Sequence, residues 1–178
     1  MLRPRSFSLI ELEKSLRRIT SNRRFYCVNG WSLKGEWSGY LLADLIELVG
    51  PCPDARYLRS TSLDGYEDTT RLEELVRGGA MLVTHMDGEP LSVQRGKPVR
   101  LMLFDLYQFK GVKRLGMLEM VRDYRPGTWA KVGYNDATIQ PYPHLSIDTN
   151  EELMPDEDLL KRIGLPDSNQ AGGVSTDL

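Results

Sequence analysis

Cysteine and histidine are scarce in this sequence: two of each in 178 residues, at Cys27, Cys52, His85 and His144. So few imidazoles exclude a histidine-rich metal site. Two thiols in a chain of this size argue against a disulfide framework, although a single Cys27–Cys52 bridge stays open. Long apolar runs are missing too, and none approaches the roughly 20 residues of a transmembrane helix. An excess of one charge is also missing. Lys and Arg number 23 against 25 Asp and Glu, a net charge of −2, so no global field draws the chain to nucleic acid or an anionic membrane. The nucleophile-elbow serine motif, the P-loop, the dinucleotide fingerprint and zinc-type cysteine spacings are all absent. No leader or twin-arginine motif precedes the first helical pattern. The sequence as written therefore reads as cytoplasmic, or as periplasmic if a leader lies upstream.

What is present suits one domain with a substantial core. Ser8 and Glu11 have the capping-box spacing, and Leu9, Leu12, Leu16 and Ile19 follow at helical spacing. Thr20-Ser21-Asn22 reads as a polar break and Phe25 to Val28 as a strand. Trp31 to Gly39, broken by glycine and serine, reads as loop or irregular strand. Leu42 to Val49 forms a helix stopped by Gly50 and Pro51. Arg56 to Ser60, Ala80 to Met86, Val99 to Phe104 and Met117 to Val121 read as strands. A short helix capped from Thr70 runs through Val76. Residues 125–142 read as surface loops and Glu152 to Ile163 as a last helix. The expected organisation is an α+β domain over 1–164 and a disordered tail over 165–178.

Three groups of residues can carry chemistry. Cys27 ends a strand beside Gly30. By position alone an inert core thiol is the commoner reading, and a soft metal ligand the alternative. The run Arg95-Gly96-Lys97-Pro98-Val99-Arg100 and the run Lys110-Gly111-Val112-Lys113-Arg114 flank an apolar strand. They read either as a solvated basic face or as two parts of one phosphate site, where arginine forks and glycine-exposed amides meet oxygens. Ser62 and Asp64 flank an Asp-Gly turn and are either turn chemistry or polar contacts for a heterocycle. His85 reads as a core histidine, His144 as exposed, and Trp31, Trp37 and Trp129 as packing residues.

Taken in order, these pieces resemble the molybdopterin-binding oxidoreductase domain of the sulfite oxidase family, in its small bacterial branch. The carriers are Cys27-Val28-Asn29-Gly30-Trp31-Ser32, Trp37-Ser38-Gly39, Asp44-Leu45-Ile46, Ala55-Arg56-Tyr57-Leu58 and Asp64-Gly65-Tyr66. They continue with Leu72-Glu73-Glu74, Met86-Asp87-Gly88-Glu89-Pro90-Leu91, Gly96-Lys97-Pro98-Val99-Arg100, Tyr107 to Lys113, and Trp129. The resemblance implies a sulfite oxidase-type fold of mixed sheets and short helices. It implies a molybdenum–molybdopterin cofactor with Cys27 on the metal. Ser62, Asp64, Arg95, Arg100, Gly111, Val112 and Lys113 would hold the pterin and its phosphate. It also implies oxygen-atom transfer to or from a small substrate such as sulfite or a sulfoxide. A separate haem- or quinone-linked partner would carry the electrons. The rival expectation is a cofactor-free descendant acting as a binding module. A cysteine-nucleophile enzyme is a third.

Overall fold

The computed structural model of the chain describes residues 4–50, 52–134 and 137–165. Pro51 and all of the expected tail except Leu165 lie outside them. Helix α1 (Leu9–Ser15) carries the capping box: Glu11 N donates to Ser8 Oγ, and Ser8 N to the Glu11 carboxylate. The helix stops sooner than its leucine spacing predicts. Ile19, expected on its apolar stripe, instead opens strand β1 (Ile19–Cys27), and the expected polar break at Thr20-Ser21-Asn22 lies inside that strand.

Strand β2 (Trp31–Leu41) is the largest departure from expectation, eleven residues of strand where loop or irregular strand was expected. Its glycines are not breaks. A Cβ on Gly39 would overlap the Leu82 carbonyl and sit 2.8 Å from Val83 Cα, at a register shift where β2 pairs with strand β5 (Met81–Met86). A Cβ on Gly35 would meet Met86 Cε at 2.7 Å and the Trp37 ring at 3.3 Å. Glycine is required here by close approach, not by a turn.

β1 and β2 pair along their whole length, Ile19 with Gly39 through Cys27 with Trp31. The other edge of β2 is shared. Its end pairs antiparallel with β5, and its start pairs parallel with β9 (His144–Ser146), a strand the sequence did not announce. β10 (Glu151–Leu153) pairs with β9, in a stretch expected to begin a helix. β6 (Glu89–Pro90) and β7 (Arg100–Met102) pair with β5 and complete a seven-stranded sheet. A second sheet has the order β4–β3–β8, from Glu67–Arg71, Tyr57–Ser62 and Leu115–Val121. Helix α2 (Leu42–Val49) follows β2. Helix α3 (Leu72–Arg77) follows β4, and Thr70, expected to cap it, lies inside that strand. Helix α4 (Glu157–Arg162) begins after Pro155. Mixed sheets and, among the described residues, four short α-helices make the fold α+β.

β5 is buried on both faces over its apolar start, Met81 to Val83, while Thr84 and His85 are only partly buried. Leu82 packs with Leu12, Leu42, Leu75 and Leu101, while Met81 and Val83 pack with Phe25, Trp37, Met102 and Phe104. Strand alternation carries this two-sidedness into β7. Leu101 joins the first cluster, whereas Arg100, on the same face as Met102, is turned toward Phe25.

Candidate active site

The same alternation fixes Cys27. Phe25 and Cys27 share one face of β1, and Tyr26 between them points the other way into a buried cluster with Tyr107, Ile139 and Leu159. The three-residue loop Val28-Asn29-Gly30 then turns the chain. Gly30 has φ +82° and its N–H bonds the Cys27 carbonyl at 3.0 Å, the left-handed position such a hairpin assigns to glycine. The result is a thiol at a strand end on the wall of a cavity of about 660 Å³. Cys27 and Cys52 are both free.

The opposite wall is built from the two basic runs. The chain over 92–97 curls tightly, with the amides of Arg95, Gly96 and Lys97 all directed at the Ser92 carbonyl. Gly96, at φ +106°, lies so near Lys113 and Arg100 that a Cβ would meet theirs at 2.9 and 3.1 Å. Backbone bonds from Leu101 to Val112, Arg114 to Gly96 and Leu115 to Val99 then join the runs edge to edge. Arg100 Nη1 donates to the Arg95 carbonyl at 3.1 Å, and Lys113 Nζ to the Gln94 carbonyl at 2.8 Å. Arg95 Nη1 reaches Met86 Sδ at 2.6 Å.

These three cations are brought together without anions. Among the described residues none of Arg95, Arg100 and Lys113 forms an ion pair with a carboxylate. Arg100 is only 4 % exposed, and its Nε is buried with no hydrogen-bond partner. Burial, and then the Arg95 charge, push the Arg100 guanidinium down to about 10. Lys113 is lowered by burial and by both arginines. A buried, unsatisfied guanidinium is costly. It becomes favourable when an anion enters, and phosphate oxygens match its planar fork.

The structure brings Cys27, Asp64, Arg95, Arg100, Gly111 and Lys113 onto the walls of this one cavity. Ser62 and Val112 are not among its lining residues. The Ser62 hydroxyl is buried, donating to Asp64 and accepting from Tyr66 N at 2.8 Å, so it shapes the turn that presents Asp64. The Asp64 carboxyl is lowered by that bond from Ser62 and by Arg114, 3.6 Å away. Val112 is fully buried and acts through its carbonyl, which accepts from Leu101 N. Among the described residues no three His, Cys, Asp or Glu side chains converge.

The match to known proteins agrees with this geometry. Residues 1–129 match the family described as the oxidoreductase molybdopterin binding domain. The chain belongs to that family. It is 29 % identical over 123 residues to YuiH, an uncharacterised oxidoreductase of Bacillus subtilis, covering 68 % of this chain and 62 % of YuiH. It is 30 % identical over 145 residues to the protein-methionine-sulfoxide reductase catalytic subunit MsrP of Xanthomonas axonopodis, covering 71 % and 44 %. The chain thus spans between about two fifths and three fifths of these relatives' lengths. The sulfane dehydrogenase SoxCD of Paracoccus pantotrophus has the same fold, with a TM-score of 0.63 at 17 % identity over 83 % of this chain and 40 % of that one. As a family member the protein is an oxidoreductase-type molybdopterin-binding domain. Among the described residues no helix is long and apolar enough to cross a membrane.

Several lining residues escaped the sequence reading. Trp129, expected to pack, is 45 % exposed and lines the cavity with Phe109 and Tyr134. Gln94, Tyr66 and Ile147 line it too. A tryptophan and a tyrosine beside Gly133, outside any amphipathic pattern, were the available signal. His144, expected exposed, is fully buried. Its Nδ1 bonds the Tyr142 carbonyl at 2.8 Å, and its ring stacks on Tyr142 at 4.7 Å.

Proposed function

We propose that this chain is a molybdenum-cofactor-dependent oxidoreductase that exchanges an oxygen atom with a small substrate, sulfite or a sulfoxide among them. The observation that carries the reading is Arg100. Its buried guanidinium, with Nε unpartnered and no carboxylate beside it, lines the same cavity as the Cys27 thiol, so one space offers a soft ligand and a candidate anion site. The pairing fits a ligand with metal at one end and phosphate at the other. When bound, the cofactor supplies the two-electron redox change and the exchangeable oxygen.

The chain's own residues bind and orient. Cys27 offers its sulfur as the protein's metal ligand. Arg95, Arg100 and Lys113 neutralise the phosphate end. Asp64, held by Ser62, offers an acceptor for heterocycle N–H groups. Phe25, Trp31 and Leu33 keep the metal end dry, which strengthens each of these electrostatic contacts. Reduction of a sulfoxide takes up two electrons and two protons and releases water. A separate haem- or quinone-linked protein is the proposed source of the electrons.

The test is metal and pterin analysis of protein purified from a molybdenum-replete host. Near-stoichiometric molybdenum is expected, with loss of the metal in Cys27→Ser. Wild-type protein free of both molybdenum and pterin would sink the reading.

A further inference from the structure

The cavity has two kinds of wall, and the cations account for only one. On the other, three rings form a continuous edge-to-face surface. Trp129 and Tyr134 lie 5.3 Å apart at 71°, and Tyr134 and Phe109 lie 5.9 Å apart at 62°. Trp129 is 45 % and Tyr134 38 % exposed, large apolar surface left in water at a cavity mouth. Ile147, 53 % exposed, lines the same cavity.

These rings are exposed and yet held. The segment carrying Trp129 is fixed to β4 at four points. Gly127 packs on Asp68 so closely that a Cβ would sit 2.7 Å from its Cα. Thr128 N donates to the Glu67 carbonyl at 2.8 Å, and Glu67 N to Thr128 Oγ1 at 3.1 Å. Lys131 Nζ bonds the Glu67 carboxylate at 2.6 Å, and Arg59 grips the same carboxylate. Gly133, at φ +105°, then turns the chain so that Tyr134 N bonds back to the Trp129 carbonyl at 3.1 Å. Phe109 is fixed through its carbonyl, which accepts from the Tyr66 hydroxyl. Rigid, solvent-facing rings lose little entropy when a ligand covers them.

We infer that Phe109, Trp129 and Tyr134 form the specificity-determining wall of the site. They take the apolar or aromatic side group of a neutral substrate, so a bare inorganic oxyanion is not the preferred one. The inference rests on the proposed oxidoreductase reading for the nature of the reacting end. The wall's own chemistry, ring faces and edges without a charge, supplies the side-group preference. The cations Arg95, Arg100 and Lys113 serve the anionic end of the cofactor, and Lys110, 5.8 Å from the Phe109 ring, is buried and paired with Asp68, so the wall offers no free charge to a ligand.

The closing experiment measures binding without turnover. Methyl phenyl sulfoxide and dimethyl sulfoxide are titrated into the full chain by calorimetry, for wild type, Trp129→Ala and Tyr134→Ala. The wild type should prefer the phenyl compound, and either variant should cut that preference by about tenfold, the size of one lost aromatic contact. Both rings are exposed, so circular dichroism melts should stay close to wild type. Absence of a phenyl preference in the wild type, or an unchanged preference in both variants, overturns the inference. So does loss of molybdopterin from the variants, which would assign the wall to the cofactor. A wild type that binds through the wall but lacks molybdenum sinks the proposed function and leaves the wall standing. A molybdenum-loaded wild type with no phenyl preference does the reverse.

Discussion

At the scale of single residues the site is organised by an unmet electrostatic demand. Arg100 Nε is buried without a partner, and the charge that acts on its guanidinium is that of another arginine, Arg95. Two opposite effects should follow from Arg100→Met. Without anion, unfolding in denaturant should become harder by about 1 kcal/mol or more, because an uncompensated buried charge is gone. With inorganic phosphate at about a hundred times its dissociation constant, the wild type should gain about 2.7 kcal/mol and the variant far less. A variant that is equally stabilised by phosphate would show that Arg100 is not the anion's partner. Cys27, Asp64, Arg95, Arg100, Gly111 and Lys113 were singled out through the family resemblance, since each local run by itself reads more readily as a core thiol, a solvated basic face or a turn; the fold brings all six to one cavity. Trp129, Tyr134 and Ile147 were not legible as lining residues, because they meet Cys27 only through a fold that returns the chain from about a hundred residues away. His144 was misread because its flanking prolines suggest exposure, while the tyrosines that bury it, Tyr26 and Tyr107, are far off in sequence.

At the scale of elements, one side chain does the work of a missing strand. The outer edge of β7 bonds through Leu101 N to Val112, but the next groups are met by the Gln108 amide. Its Nε2 donates to Leu101 O at 3.0 Å and its Oε1 accepts from Leu103 N at 3.1 Å. Gly111 lies against that amide. A Cβ there would overlap the Gln108 side chain and approach Leu101 O to 2.6 Å. Gly111→Ala should therefore destabilise the protein by about 1–3 kcal/mol, as overpacking does, and weaken phosphate binding as well. Equilibrium unfolding in urea with and without phosphate measures both effects. A neutral Gly111→Ala would mean that the loop has room this geometry denies. The same reasoning explains why β2 was hidden in the sequence. Gly35 and Gly39 look like breakers in a one-dimensional reading, and only the approach of Met86 and Leu82 shows what they are for.

For the whole molecule, two acidic clamps hold the far side of the cavity. Hydrogen bonds from Lys131 and Arg59 hold Glu67 well down, at about 2 against an ordinary 4.5. Burial raises Asp148, but its bonds from Arg24, Ser146 and Lys34 N outweigh that and bring it to about 2 against 3.8. Both folded values are depressed. Their stabilisation is thus complete above the ordinary values and is lost as pH falls from about 4.5 toward 2. Glu67 fixes residues 127–131, and Asp148 fixes the strand pairing of β9 to β2. Acid should loosen the aromatic wall and the β9 edge before the central sheet. Hydrogen exchange between pH 5 and 2 checks this, with protection at Thr128 and Ile147 expected to fall ahead of protection at Val83. Uniform loss across all three would contradict it. High salt should shrink the effect, since both carboxylates are partly in water.

The position of those clamps bears on how such a protein can change. The residues proposed to hold the cofactor, from Cys27 to Lys113, lie within the stretch the family shares. Tyr134 and Ile147 come after it, and Trp129 is its last residue. The stretch between the two clamps is anchored along its length as well, since Ile139 and His144 are buried and Tyr107 bonds the backbone of Ala137 and Gln140, so only its exposed side chains reach the mouth. Side chains at those exposed positions can change while the buried ones and the two carboxylates keep their partners. On the proposed function, new substrate preferences then arise from a few mouth positions and not from rebuilding the site.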